Sequence, residues 1–490
     1  DVYKRQIPVW MFIKSYSNLR RFILENYTIT NMLHLGRGVF GADFGTTSFV
    51  IKGQLVKNYE GVYKRLFTSS SAVEDVEKKM QLLADKTHNY LQKQDMYRYV
   101  PEMNLAYWAN EYMISAFRGS KISDIAYVKE GLKTGDNERF IRYWTEVDIN
   151  RTNIKNENKE NGTKWIKHTK GGEFRKWYGN NLEVLNYYDD GRELKAFKKA
   201  SLTGRDKYFC EGITWSRITI AKTSFRYMPK GCIPNMAGLA LYTDEYKVLL
   251  GYLNSKICRN YLEILNPTIN FPPGTIADLP VGFMDKINKR DVEKLVNECI
   301  HYSKEDWDAF ETSWDFRCHP LTPSATLKQD QMVSEYAQSR IEKYGLISWH
   351  YENWKNQCEK RFNQLKDNEE ELNRMFIDIY GLQDELTPEI EDKDVTVRKA
   401  DLQRDIRSFI SYAVGCMLGR YSLDVDGLAF AGGEWDNGKY TSFIPDADNI
   451  IPITDEEYFS DDIVGRFVEF VKTVYGCLLY TSPSPRDISG

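Results

Sequence analysis

The sequence predicts a multidomain protein of mixed α/β and α+β class. Three observations carry this. Strand and helix patterns alternate from residue 7 to about 66, short strands between polar turns take over from Gly131, and beyond Asp285 the apolar spacing is mostly helical. With 490 residues, 42% of them hydrophobic and 14% aromatic, the chain exceeds one ordinary domain and can fill several cores. That composition excludes a disordered tether. No uninterrupted apolar run approaches the roughly 18 residues of a membrane span, so a soluble chain is expected.

In order, Ile7-Pro-Val-Trp-Met-Phe-Ile13 reads as a strand, Ser17 as the cap of a helix carrying Leu19, Phe22 and Ile23, and Thr28 to Leu35 and Thr46 to Lys52 as further strands. Between the last two lies Gly36-Arg-Gly-Val-Phe-Gly41, a formal GxGxxG with Glu60 beyond it. A dinucleotide fingerprint needs its third glycine to open a helix whose N-terminus receives the pyrophosphate. Here β-branched Thr46, Thr47, Val50 and Ile51 follow, so the nucleotide reading is set aside. Residues 73 to about 91 read as a charged amphipathic helix, aromatics gather at Tyr107, Trp108 and Tyr112, and 245–265 reads as one helix. Asp330 to Leu365 is helical with a break at Gly345, and Ile406 to Leu418 is a compact apolar helix followed by the glycine-rich residues 427–438.

The net charge of -4 conceals an uneven distribution. From Asn161 to Lys230 there are 15 Lys and Arg against 7 Asp and Glu, a local +8 that leaves -12 for the rest. A basic segment on an acidic body is the footprint of a protein that holds a polyanion in one place. The eight cysteines form no CxxC, and no two are closer than 19 residues, so no thiolate metal site is expected. With no secretory signal in view, reduced thiols and a cytoplasmic location are the expectation. Asp244-Glu-Tyr-Lys247 has the letters of a metal-nuclease motif. It heads a helix and is short enough to arise by chance, so a nuclease is set aside.

The two ends, Asp1 to Gln6 and Cys477 to Asp487, resemble translated sequencing-adapter read-through. The chain between them, from about Ile7 to Gly476, is expected to be an internal piece of a longer protein.

Several longer stretches carry a family likeness: Gly131-Leu-Lys-Thr-Gly-Asp-Asn-Glu-Arg-Phe140, Lys176-Trp-Tyr-Gly179, Leu250 to Lys256, Trp307 to Phe316 with His319-Pro320, Glu371 to Gly381, Tyr412 to Ser422 and Ile451 to Asp455. In this order they resemble the post-catalytic half of BREX-type adenine-specific DNA methyltransferases (PglX), which are similar to the fused type IIG restriction-modification enzymes. The resemblance implies transfer of a methyl group from S-adenosylmethionine to the amino nitrogen of a flipped adenine. It also implies an [Asn/Asp/Ser]-Pro-Pro-aromatic clamp, which this chain lacks. Its one Pro-Pro, Pro272-Pro273, stands between Phe271 and Gly274. No catalytic residue is therefore expected here, and the cofactor site is expected mostly upstream.

The resemblance divides the chain into a C-terminal remnant of a Rossmann-like methyltransferase sheet (7–118), a mixed α/β target-recognition domain (119–285) and a mostly helical C-terminal domain (286–476). In the remnant, Phe40, with Phe44 as substitute, is expected to stack on the extruded base. In the recognition domain, Arg175, Lys176, Arg205, Lys222, Arg226 and Lys230, interleaved with Trp177, Tyr178, Trp215, Phe225 and Tyr227, are expected to meet phosphates and base edges. Thr134, Asp136, Asn137 and Arg139 form a second polar cluster suited to a DNA-facing loop. The expected partners are double-stranded DNA and other phage-defence proteins, with no membrane. The rival reading is a noncatalytic DNA-specificity subunit.

Overall fold

The computed structural model describes residues 2–6, 8–39, 44–68, 72–154, 163–219, 222–322, 347–455, 458–459 and 461–475. The chain is mixed α/β, with three sheets up to residue 242 and only helices after it among the described residues. Strands β1 (Val2–Gln6), β2 (Thr28–Gly36), β3 (Thr46–Lys52), β4 (Glu60–Arg65) and β5 (Asn89–Lys93) form the first sheet, in the order β1-β3-β2-β4-β5. Only β2 and β4 are parallel.

The expected strand at 7–13 is instead a 3-10 turn, Pro8–Met11. Pro8 has a φ suited to the first position of a helical turn. The amides of Phe12 and Ile13 both return to the Val9 carbonyl, at 3.1 and 2.9 Å. The turn sends the sequence neighbours Trp10 and Met11 into one core with Ile23, Leu24, Met32, Phe49 and Tyr63, whereas a strand would have pointed them to opposite faces. Helix α1 (Ser17–Asn26) begins at Ser17, which caps nothing. Its buried face is Arg20, Ile23 and Leu24, while Leu19 and Phe22 are exposed. Arg20 sets that face. Its guanidinium donates to the carbonyls of Glu102, Trp10 and Ile13 at 2.8–3.0 Å, and burial lowers its pKa to about 10. Helix α2 (Val76–Ala84) is shorter than the expected 73–91. Asp75 caps its start, Asp85 caps a separate 3-10 turn after it, and the chain then pairs with β4 as β5. Two short helices follow, α3 (Glu111–Ala116) and α4 (Ile122–Ile125).

The middle of the chain forms two four-stranded sheets. Strands β6 (Tyr127–Lys129), β10 (Gly212–Ser216), β11 (Phe225–Met228) and β13 (Gly238–Tyr242) pair antiparallel in the order β11-β10-β13-β6. Strands β7 (Ile141–Tyr143), β8 (Trp165–Thr169), β9 (Glu183–Asn186) and β12 (Cys232–Pro234) pair in the order β12-β8-β9-β7, with β12 and β8 parallel. The chain leaves the first of these sheets after β11, adds β12 to the second and returns as β13. The two sheets are thereby stitched together at residues 229–237. Helices α5 (Asn137–Phe140) and α6 (Tyr188–Ala196) lie in the connections.

The helix expected over 245–265 is two, α7 (Tyr246–Asn254) and α8 (Lys256–Leu265). Ser255 breaks it: its hydroxyl donates to the Tyr252 carbonyl (2.6 Å) and accepts from the Cys258 amide (3.3 Å). Pro272 and Pro273 open α9 (Pro273–Ala277), a helix start rather than a clamp. Then come α10 (Lys289–Asp308), α11 (Ile347–Tyr380), α12 (Leu402–Met417) and α13 (Ile463–Tyr475). Gly345 and residues 330–346 lie outside the described residues, and the helix expected up to Leu365 continues to Tyr380. The largest core joins the β10–β11–β13 face to α7, α8, α10 and α11 through Trp215, Phe225, Leu250, Val296 and Phe376. A second core gathers Phe316, Trp354, Phe409, Tyr412 and Phe470 from α11, α12, α13 and the 309–321 connection. No helix among the described residues is long and apolar enough to cross a membrane.

Candidate nucleic-acid interface

Where the two middle sheets are stitched together, a cleft of about 830 Å³ opens between four loops, 133–137, 170–172, 216–218 and 235–237. Three of them leave the C-terminal ends of β8, β10 and β12. Backbone bonds fix them. Asn235 donates to Thr169 (2.8 Å), Arg217 to Ala237 (3.0 Å), and Leu132 to Pro234 (2.7 Å). The approach is close enough that a Cβ on Gly131 would stand 2.1 Å from the Pro234 carbonyl oxygen, which explains the glycine.

Beneath the cleft His168 is fully buried. A carbonyl only accepts, so its Nδ1 donates to Ile233 O (2.7 Å) and its Nε2 accepts from the Asn235 amide (3.0 Å). Burial lowers the His168 pKa to about 4, which keeps the ring neutral at physiological pH. Asn235 Oδ1 in turn accepts from the Ala237 amide at 2.8 Å and holds the 235–237 loop in shape.

The wall formed by 133–137 carries the polar cluster picked out in the sequence. Thr134 is buried and its hydroxyl donates to Asn137 Oδ1 at 2.5 Å, while Asn137 itself is exposed. Asp136 caps α5 through the Arg139 amide. Arg139 points elsewhere, to Glu193 at 2.5 Å and over the Phe197 ring. At the rim, Lys170 pairs with Glu183 (2.7 Å) and Arg217 with Glu130 (2.6 Å). Lys133, Lys198 and Lys199 are exposed, and no carboxylate among the described residues lies within ion-pair distance of them. The 198–201 loop adjoins the cleft: Lys133 and Ser201 exchange two backbone hydrogen bonds.

Most of the other residues expected at DNA are buried in this structure. Residues 175–178 lie along β11, with Trp177 N donating to Phe225 O (2.9 Å) and Tyr227 N to Trp177 O (2.7 Å). Their side chains turn inward against α10 and α11. Arg175 pairs with Asp306 at 2.9 Å, donates to Tyr178 and Ser303 carbonyls, and covers the Trp307 ring. Lys176 pairs with Glu369, whose other oxygen accepts from Trp177 Nε1 at 2.5 Å. Tyr178 is buried under Lys304. Arg398 also binds Asp306, at 3.1 Å. Burial pushes the Asp306 carboxyl up, yet Arg398 and Arg175 outweigh it and hold the pKa below the usual range. Trp215 is buried and donates to Phe271 O. Arg226 is 1% exposed, and burial, then the nearby Arg175, lowers its pKa to about 10. Phe225 is core, and Tyr227 stacks on Tyr246.

Nearer the surface, Lys222 is taken by Asp394, and Arg205 with Lys195 by Asp190. Lys230 stays exposed, 4.0 Å from Glu211. Phe40 lies outside the described residues. Phe44 is 48% exposed on the β2–β3 connection. Sequence reasoning missed Lys133, Ile218, Asn235 and Met236 of the cleft. It also missed the seam, although its signal was present: Asp306 continues the buried stripe Val292, Val296, Cys299, Ser303, and Glu369 sits between Leu365 and Leu372. A carboxylate on an apolar stripe requires a buried cation.

No family model matches the chain. Two curated proteins are similar to it. The adenine-specific methyltransferase PglX of Lacticaseibacillus casei (strain Zhang) is 37% identical over 489 residues, and the adenine-specific methyltransferase BrxX of Escherichia coli O9:H4 (strain HS) is 34% identical over 499. Each alignment covers 95% of this chain, which spans 39% of the length of either relative. The resemblance read in the sequence is borne out at that level. Among solved structures, the type IIL restriction-modification enzyme MmeI in complex with DNA aligns with a TM-score of 0.43 at 10% identity, over 84% of this chain and 49% of that one. The type IIG restriction endonuclease BpuSI aligns with a TM-score of 0.26 at 12% identity, over 60% of this chain and 42% of that one.

Proposed function

We propose that this chain is the DNA-recognition and C-terminal portion of a site-specific N6-adenine DNA methyltransferase acting in phage defence, and that its cleft between the two middle sheets faces double-stranded DNA. The observation that carries this reading is the likeness over 95% of the chain to two adenine-specific methyltransferases. The cleft supports it. Loops from several strand ends converge there, with exposed Lys133, Lys198 and Lys199 at the rim for phosphates and an exposed amide, Asn137, for base edges. Phe44, exposed on the β2–β3 connection, and Phe40, outside the described residues, are the rings proposed to stack on a flipped adenine.

S-adenosylmethionine would supply the methyl group. The described residues of this chain do not fit it. The β2–β3 connection joins two antiparallel strands and opens no helix among the described residues, and the sequence holds no [Asn/Asp/Ser]-Pro-Pro-aromatic motif. The work of these residues is binding and selection.

The test is enrichment of duplexes from a randomised pool by the 490-residue chain, with affinity then measured against salt. One sequence motif should be enriched, and log affinity should fall linearly with log salt, with a slope of about -0.9 per phosphate neutralised. Replacing Lys133, Lys198 and Lys199 by Gln should flatten the slope and leave the motif unchanged. Binding that ignores salt, or that enriches no sequence, would overturn the assignment.

A further inference from the structure

We infer that the cleft reads one A·T base pair in the major groove, with Asn137 as the base-reading side chain, Thr134 as its positioning residue and an apolar wall of Ile218 and Met236 for the thymine methyl. This rests on the proposed DNA-recognition function and deepens it.

An unrestrained surface asparagine turns freely and presents donor and acceptor in no fixed direction. Asn137 is restrained. The Thr134 hydroxyl donates to its Oδ1, and Thr134 is itself buried, so the amide plane is held from beneath while the side chain remains exposed. One lone pair of Oδ1 and both Nδ2 hydrogens remain for a ligand. A fixed pair of one acceptor beside one donor is the complement of the adenine N6 donor and N7 acceptor, the pairing by which Asn reads adenine. Guanine offers two acceptors there and would leave Oδ1 facing an oxygen.

The other loops supply what the partner base needs. Ile218 lines the same cleft and is 64% exposed, an apolar side chain open to a ligand there. Met236 lines it too, from the loop that His168 and Asn235 hold in place. In the major groove the thymine of an A·T pair is marked by its methyl group, and an apolar contact is how that methyl is recognised. Lys133, Lys198 and Lys199 flank the cleft with no carboxylate at ion-pair distance among the described residues, which suits the phosphates on either side and favours a duplex over a neutral ligand.

The test compares motifs enriched by the full chain and its variants from a randomised duplex pool, followed by single-site probes. The wild-type motif should contain a position restricted to A·T, and Asn137→Ala should relax that position alone, with a discrimination loss of roughly 5- to 150-fold. Thr134→Val should weaken the same restriction and Thr134→Ser should restore it, since only the hydroxyl is needed. Uracil in place of thymine at that position should lower wild-type affinity about fourfold, what one buried methyl is worth. Ile218→Ala should no longer distinguish the two. Selective binding whose motif is untouched by Asn137→Ala, or indifferent to the thymine methyl, would overturn this assignment and leave DNA recognition standing. No enriched sequence at all would overturn both.

Discussion

Arg175 shows how little a residue's type says about its place. A guanidinium beside a tryptophan in a basic segment has the chemistry of a base reader, and in this molecule it is a buried anchor on Asp306. Its replacement should therefore register as stability. Arg175→Ala leaves the Asp306 carboxylate, 0% exposed, to Arg398 and to Arg361 at 3.9 Å, and losing one of its hydrogen-bonded cations costs roughly 1.5–3 kcal/mol. Urea denaturation should show a lower midpoint at unchanged slope, with the extrapolated unfolding free energy reduced by about that amount, and DNA selected by whatever folded protein remains should carry an unchanged motif. An altered motif at full stability would return Arg175 to the DNA surface. Lys198 and Lys199, by contrast, share the same basic segment and stay in solvent. Composition could place +8 on 70 residues, but it could not say which of those charges had carboxylates waiting in helices a hundred residues downstream.

At the level of elements, strands β2 and β3 and helix α12 were legible because each buries a pattern of its own period. Thr46 to Lys52 is a strand at both ends as read. The departures have local causes. Pro8 turned an apolar run into a 3-10 turn, Asp85 stopped α2, and Ser255 cut one helix into two. Each is a single side chain competing with the backbone ladder, which hydrophobic spacing does not register. The cleft was half legible. Thr134 and Asn137 stood out as a polar turn, but Ile218 and Met236 meet them only because β12 leaves one sheet for the other, a crossing no spacing announces. Gly131 sits at that crossing. Gly131→Ala would set its methyl against the Pro234 carbonyl at 2.1 Å and force β12 away from the 132–133 strand edge. We expect a loss of roughly 1–3 kcal/mol in thermal or chemical unfolding, of the size of other overpacking changes, accompanied by weaker DNA selectivity. Tolerance of alanine there would mean that the loops around the cleft are held less tightly than their hydrogen bonds imply.

On the scale of the whole molecule, the chain carries the cleft proposed to face DNA, and its sequence lacks the Pro-Pro-aromatic clamp for the amino group. Incubated with S-adenosylmethionine carrying a labelled methyl and with DNA containing its selected motif, the purified chain should transfer no label. Joined to a portion that carries the cofactor and clamp motifs, it should methylate adenine and leave cytosine untouched. Label on DNA from the chain alone would sink that division of labour. The buried seam between residues 175–178 and the two long helices has a further meaning for heredity and for engineering. A region proposed to read DNA that keeps its buried charges neutralised by carboxylates of α10 and α11 is not a cassette. Cut at residue 285 and transplanted, it would strand Arg175 and Lys176 in the donor piece and leave Asp306 and Glu369 orphaned in the recipient. On the proposed reading, target specificity would be exchanged by trading loops around the cleft, or by moving the two middle sheets together with α10 and α11 as one block.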